Sequence, residues 1–201
     1  MATDEDLIGA VATGDGRALD ELCRRYERPL YQFLFRHTGG RDAEDLYQET
    51  WLRIVRAADR FDPARRFSTW LFQIALNLCR DWRRRPPPEA VDPGTIDAPA
   101  TGPGTADATE AALDASRLLA ALPEAQRSAV ILRYYHDLSE EEVAEILGCP
   151  RGTVKSRLHY AMDRLLELAR EPATPMQPPS GRSAPAPDSP GSASAPPGRS
   201  S

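Results

Sequence analysis

The chain has 201 residues, 41% hydrophobic and 27% charged, enough for one or two small domains but too few for a large multidomain enzyme. Acidic residues outnumber basic ones by 30 to 25, giving a net charge of −5, the wrong sign for a protein that grips nucleic acid unaided. No apolar run approaches the roughly 20 residues that cross a bilayer, and the opening Met1-Ala2-Thr3-Asp4-Glu5-Asp6 is acidic where a secretory leader is basic and then apolar, so a cytoplasmic protein without membrane insertion is expected.

Apolar residues recur at intervals of three and four along two stretches, and neither stretch contains a convincing β-branched run, which predicts an all-α fold. In the first block, residues 1–85, helices are expected near Asp4–Thr13, Gly16–Arg36, Asp42–Ala58 and Ser68–Arg85. Residues 59–85 hold seven arginines against three aspartates, a local charge of +4, whereas residues 86–115 hold six acids and no base. So abrupt a reversal marks a boundary. Pro86-Pro87-Pro88 ends any helix before it, and residues 86–109 read as a flexible acidic linker. A second block, residues 110–171, is expected to carry helices near Glu110–Ala121, Pro123–Tyr135, Glu140–Leu147 and Arg151–Arg170. Residues 172–201, built from Pro, Ser, Ala and Gly, read as a disordered tail. Cys23, Cys79 and Cys149 are odd in number and far apart, with no Cys-x-x-Cys pair and no His at finger spacing. Reduced thiols are expected, with neither a disulfide framework nor a zinc site, and no cofactor is implied.

Within the first block, the helix from Asp42 is expected to bury Ala43, Leu46, Tyr47, Thr50, Trp51, Ile54 and Val55. That leaves Asp45, Gln48, Glu49 and Leu52 as one exposed row, a docking candidate. The next loop, Phe61 to Phe67, combines Arg65 and Arg66 with two aromatic rings and is fixed by Pro63. Single-strand recognition uses π-faces with backbone neutralisation, which suits this loop to an unstacked base. In the helix after it, Leu71, Ile74, Ala75, Leu78 and Trp82 form the core stripe. Gln73, Asn77, Arg80 and Arg84 line the other side with Trp70 beside them, amide and guanidinium groups suited to bases and phosphates.

The second block holds the strongest local signal. Ser139-Glu140-Glu141-Glu142 is a capping box, the helix after it carries Val143, Ile146 and Leu147, and Gly148 stops it. Pro150 suits a new helix start, so the pair reads as a helix-turn-helix. On the second helix Val154, Leu158, Ala161 and Leu165 share a buried stripe. The opposite face holds Gly152, Ser156, His159, Tyr160 and Asp163, flanked by Thr153, Lys155, Arg157 and Arg164: short groups for base edges and cations for phosphates.

Three motifs resemble, in order, those of the extracytoplasmic-function sigma factors of bacterial RNA polymerase. They are Asp42-Ala43-Glu44-Asp45-Leu46-Tyr47-Gln48-Glu49-Thr50-Trp51, then Phe67-Ser68-Thr69-Trp70-Leu71-Phe72-Gln73-Ile74-Ala75-Leu76-Asn77, then Leu138-Ser139 through Gly152-Thr153-Val154-Lys155-Ser156-Arg157-Leu158. The resemblance implies a sigma domain 2 in the first block and a domain 4 in the second, joined by a linker in place of the third. It implies that Asp45, Gln48, Glu49 and Leu52 bind the β′ clamp helices of core polymerase, with the β flap as a second contact. It further implies that Phe61, Arg65, Arg66, Phe67, Trp70, Gln73, Asn77, Arg80 and Arg84 melt and read the minus-ten element. Arg151, Thr153, Lys155, Ser156, Arg157, His159 and Tyr160 then serve the minus-thirty-five duplex. Where the family commonly continues with several bases, this chain has Tyr160, Met162 and Asp163, so more of the duplex binding is expected from Lys155, Ser156 and Arg157. An anti-sigma factor is a further implied partner, and no catalysis is implied.

Two other readings stay open at this level. A homodimeric helix-turn-helix regulator needs only the second block, and a metal-dependent DNA hydrolase would use Asp45 and Glu49, which have no His or Cys partner nearby in the sequence.

Overall fold

The computed structural model describes residues 2–84, 115 and 117–170. The described residues up to Arg170 cluster as one compact unit. Among them every regular element is helical. The expected linker and tail, and half of the helix expected over Glu110–Ala121, lie outside the described residues.

Helix α1 (Asp4–Ala12) opens on a capping box in which the Thr3 hydroxyl accepts from the Asp6 amide and the Asp6 carboxylate accepts from the Thr3 amide. Helix α2 (Gly16–Thr38) starts on the Asp15 side chain and ends on Gly39 at φ 68°. Gly40 follows at φ 87°, and a Cβ there would fall 2.7 Å from the Phe35 ring, so the turn has room for glycine alone. Helix α3 (Ala43–Ala57) begins one residue later than expected because Asp42 is left-handed, at φ 54°. The Asp42 carboxylate is used elsewhere, accepting at 2.7 Å from the Trp82 indole N–H. That bond draws Trp82 partly out of the core stripe in which the periodicity places it. Helix α4 (Phe67–Arg84) has its first amide capped in trans, with Phe67 N–H donating to Glu5 of α1 at 2.9 Å. Leu22, Leu30, Phe33, Leu34, Ile54, Phe67, Leu71 and Leu76 are fully buried, and they are the core of the first block.

In the second block, α5 (Glu124–Val130) runs into a π-helical turn, Ile131–Tyr135, where periodicity predicts one continuous α-helix. Arg127 is buried and donates to the carbonyls of Leu119, Ala120 and Leu122, each at 2.8 Å. It thereby satisfies the C-terminal carbonyls of the short helical turn at residues 117–120. Helices α6 (Glu140–Leu147) and α7 (Arg151–Arg170) follow. Ile131, Leu132, Val143, Ile146, Val154 and Ala161 make the core between them.

The two blocks meet along a seam that the sequence does not announce. His37 of α2 is fully buried; its Nδ1 pairs with the Phe33 carbonyl at 2.9 Å and its Nε2 with the Ser128 hydroxyl at 3.2 Å. His136 lies against Phe72 at 4.6 Å with the ring planes tilted by 47°, and meets Phe33 edge-on at 5.7 Å. Arg36 lies 4.0 Å over the Tyr135 ring. Burial, with Arg83, His136 and Arg80 nearby and despite the Phe33 carbonyl, lowers the His37 pKa from 6.5 to about 4. Burial and Arg36 bring His136 to about 4 as well. Both rings are therefore neutral in the folded chain at pH 7.

A base whose folded pKa is depressed contributes stability that is fully present above its unfolded value and lost as pH falls toward the folded one. Thermal unfolding followed by circular dichroism should show the midpoint dropping as pH is lowered from 6.5 toward about 4. Most of the drop precedes the carboxylate range. His136→Phe, which keeps a ring against Phe72, should leave the fold intact and about halve that slope.

Candidate nucleic-acid interface

Asp62 builds the loop ahead of α4: its carboxylate accepts from the Ala64 amide at 2.9 Å and its carbonyl from the Arg65 amide at 3.0 Å. This turn presents Arg65 and Arg66 together at the N-terminal end of α4. Phe67, expected on the same surface, is fully buried instead, edge-on to Tyr26 at 5.3 Å; its ring belongs to the core and has no free face. Phe61 and Trp70 are half-buried and face each other at 5.2 Å, so these two rings, without Phe67, are the aromatic part of the surface.

Along α4, Arg65 donates to the Gln73 side-chain carbonyl at 3.0 Å and Arg80 to that of Asn77 at 3.4 Å. Arg84 is 80% exposed and only 3.8 Å from Asp81. The predicted line of amides and guanidiniums thus lies on one side of α4, internally bonded. Its strongest partners come from the second block: Glu145 lies 2.6 Å from Arg65, Glu124 lies 3.2 Å from Arg80, and Glu142 pairs with Arg66. Pairs this open to water contribute on the order of 0–1 kcal/mol each. They therefore align the two blocks more than they hold them together.

On α3, Asp45, Gln48 and Leu52 are exposed and Glu49 is tied to Arg53 at 2.9 Å. Val55, expected in the core, is 43% exposed beside Leu52 at 49%. Leu52 and Val55 are three apart, one turn along the same face, so the row is acidic at one end and apolar at the other. That spacing was the signal available in the sequence.

The helix-turn-helix follows its motif. The Ser139 hydroxyl accepts from the Glu142 amide and the Glu142 carboxylate from the Ser139 amide. Burial opposes ionisation of Glu142, but the Ser139 amide and hydroxyl and Arg66 prevail and hold its pKa below the ordinary carboxylate value. Gly148 closes α6 at φ 64°, where an L side chain is strained. Val154, Leu158 and Ala161 are buried and Leu165 partly so, which turns Arg151, Lys155, Ser156, His159 and Tyr160 outward. Thr153 and Arg157 are half-buried, and Arg157 reaches Cys149 Sγ at 3.3 Å. Arg151 is held by Glu140 at 2.8 Å and Glu141 at 2.5 Å, with Lys155 3.9 Å from Glu140. Ser156 bonds back to the Gly152 carbonyl at 3.1 Å, and His159 lies 3.5 Å from Asp163.

Among the described residues no group of three or more His, Cys, Asp or Glu side chains converges as a metal site, and no helix is long and apolar enough to cross a membrane. The three cysteines are free. Burial pushes the Cys79 thiol up to about 12 and the Cys23 thiol to about 11, which leaves both unreactive at neutral pH.

The chain matches two family models, sigma-70 region 2 over residues 22–86 and sigma-70 region 4 over residues 113–165. It is 31% identical over 179 residues to the ECF RNA polymerase sigma-E factor of Haemophilus influenzae, covering 81% of this chain and 93% of that protein. To the ECF RNA polymerase sigma-E factor of Escherichia coli K12 it is 32% identical over 176 residues, covering 81% and 92%. Among solved structures, CnrH in complex with the cytosolic domain of CnrY superposes with a TM-score of 0.65 at 27% identity, over 83% of this chain and 96% of CnrH. RpoE of Bartonella quintana, solved with the anti-sigma factor NepR, gives 0.60 at 27% identity over 76% and 96%.

Replacing Ser139 by alanine removes one half of the capping box, and helix N-caps contribute about 1 kcal/mol. Urea unfolding of the full chain should show that loss, with Ser139→Asp restoring most of it.

Proposed function

The chain belongs to the extracytoplasmic-function sigma factors, and on that premise we propose which of its surfaces does which part of the work. As an alternative sigma factor it joins core RNA polymerase and directs promoter-specific initiation. The observation that carries this is the pairing, in order on one chain, of the region 2 and region 4 matches. A homodimeric regulator needs only the second of them and leaves the first block without a purpose.

Residues 1–85 act as the polymerase-binding and minus-ten module. The row Asp45, Gln48, Glu49 and Leu52, extended by Val55, docks on the β′ clamp helices; its exposed apolar end supplies buried area and its acidic end supplies register. Phe61 and Trp70 with Arg65, Arg66, Gln73, Asn77, Arg80 and Arg84 engage the minus-ten strand, rings against the face of an unstacked base and guanidiniums against phosphates. Residues 110–171 are the minus-thirty-five module, where the exposed face of α7 enters the major groove. Arg151, Lys155 and Arg157 neutralise phosphates while Ser156, with Thr153, His159 and Tyr160 around it, approaches base edges. The β flap is the docking partner of this module.

The chain is a cytoplasmic binding subunit without a reaction of its own, and its free energy comes from contacts. A good base contact contributes about 1–3 kcal/mol of discrimination, and each neutralised phosphate adds about 0.9 to the log-log salt slope. An excess of acids is tolerable because polymerase supplies the non-specific grip. The solved relatives bound to CnrY and NepR support a protein that sequesters this chain in the same manner.

Reconstitution with bacterial core polymerase, followed by transcription from the DNA upstream of the chain's own coding region, tests the assignment. The double substitution Asp45→Lys, Glu49→Lys should abolish association with core in a pull-down, and normal binding would overturn the docking surface. Asn77→Ala should leave association unchanged and weaken promoter opening by about tenfold, the equivalent of one base contact, as read by permanganate reactivity.

A further inference from the structure

The three acids that open α1 go to three different partners. Asp6 closes the capping box with Thr3. Asp4 accepts from Arg25 at 2.6 Å and from the Tyr26 hydroxyl at 2.5 Å, which ties the start of α1 to α2. Glu5 reaches a third helix, where it accepts from the Phe67 amide at 2.9 Å. The first amides of a helix have no partner within it, and a Ser, Thr, Asp or Asn just before the helix ordinarily supplies one. Before α4 stand Arg65 and Arg66 instead, side chains that have no acceptor and put positive charge at the positive end of the helix dipole. Glu145 and Glu142 of the second block meet those guanidiniums and not the amide. We propose that Glu5 is a positioning residue for the minus-ten loop, supplying from α1 the N-cap that the arginines displace and so holding Phe67 where Phe61 and Trp70 are set for an unstacked base.

Phe67 links that bond to the DNA face. Its buried ring is edge-on to Tyr26 at 5.3 Å and also meets Phe61 at 6.2 Å and Trp70 at 6.1 Å, the two rings assigned above to the base. Tyr26 is the residue that Asp4 holds. Both acids therefore act on Phe67, Glu5 through its amide and Asp4 through the ring beside it. The middle of the loop is set locally, by Asp62 on the amides of Ala64 and Arg65. Without Glu5 the part-buried Phe67 amide would lose its acceptor, and the first turn of α4 would gain by fraying toward water. Fraying would carry Trp70 away from Phe61, because the Trp70 amide closes that turn on the Arg66 carbonyl at 3.2 Å. A cap supplied from another helix thus leaves two arginines for phosphates at positions where a capping residue would otherwise stand. The region 2 match begins at residue 22, so this work falls to a helix outside it.

The role of Glu5 rests on the loop being part of the minus-ten face, so the experiment separates the two. Glu5→Ala, Glu5→Gln and Val11→Ala are compared with wild type, as the full chain and as holoenzyme with bacterial core polymerase on the DNA upstream of the chain's own coding region. Glutamine keeps an oxygen that can accept from Phe67. Val11→Ala loosens the far end of α1 from the core without touching the bond. In the free chain, Glu5→Ala should speed hydrogen exchange of the Phe67 amide about tenfold. In holoenzyme it should lower permanganate reactivity of the opened promoter about fivefold, the effect of one lost helix cap, with association to core unchanged. Glu5→Gln should restore most of both. Normal opening in Glu5→Ala, an equal loss in Val11→Ala, or no recovery in Glu5→Gln would overturn the positioning role. Independently, Arg65→Ala, Arg66→Ala in the same holoenzyme reports on the face itself. Impaired opening there alongside an unaffected Glu5→Ala removes the role of Glu5 alone, whereas normal opening removes the loop's promoter role and that of Glu5 with it.

Discussion

Burial of two uncharged imidazoles between aromatic rings is the contact on which the arrangement of this chain depends. His37 has both ring nitrogens occupied, one by a carbonyl of its own helix and one by the Ser128 hydroxyl of the other block. A neutral ring satisfied in this way can be taken out of water at little cost, whereas a protonated one cannot. His136, set against Phe33 and Phe72, brings aromatic area from the second block onto α2 and α4. Because α4 lies on this seam and also carries the arginine line, the same packing that joins the blocks determines what those arginines face.

The balance of forces at the seam follows from exposure. The ion pairs around it are open to water and screened by salt, and pairs of that kind are weak individually. The rings, by contrast, remove apolar surface from solvent, and burying a side chain of that size stabilises by roughly 1.5–3 kcal/mol. The apolar contacts therefore hold the blocks and the ionic ones fix their register. The overall acidity belongs to the same picture. Glu145, Glu142 and Glu124 of the second block meet Arg65, Arg66 and Arg80 of the first.

The docking row on α3 and the α7 face sit apart from that seam, and both are exposed side chains on regular helices. The α3 row combines carboxylates with Leu52 and Val55, the mixture expected of a patch with an apolar centre and a polar rim. The α7 face is cationic at its start, with Arg151 drawn toward Glu140 and Glu141 and Lys155 toward Glu140, and carries the His159 and Tyr160 rings further along. Those acids belong to the first turn of α6, where they also favour the positive end of the helix.

Local chemistry was legible in the amino-acid sequence wherever a short segment decides its own conformation. The Ser139–Glu142 capping box, the left-handed Gly148, the apolar stripe of Val154, Leu158 and Ala161, and the two-sided character of α3 and α4 depend on residues within one or two turns of each other. Spacing alone could not place Phe67 or Trp82. The burial of Phe67 depends on Tyr26 from another helix and on Glu5 capping α4, and Trp82 is drawn partly outward by Asp42, forty residues away. Nor could it foresee the π turn at Ile131–Tyr135, or that the carboxylates of one block would meet the arginines of the other. Such contacts join side chains from separate helices, and a helical period specifies which face a residue occupies but not which neighbour the folded chain brings to it.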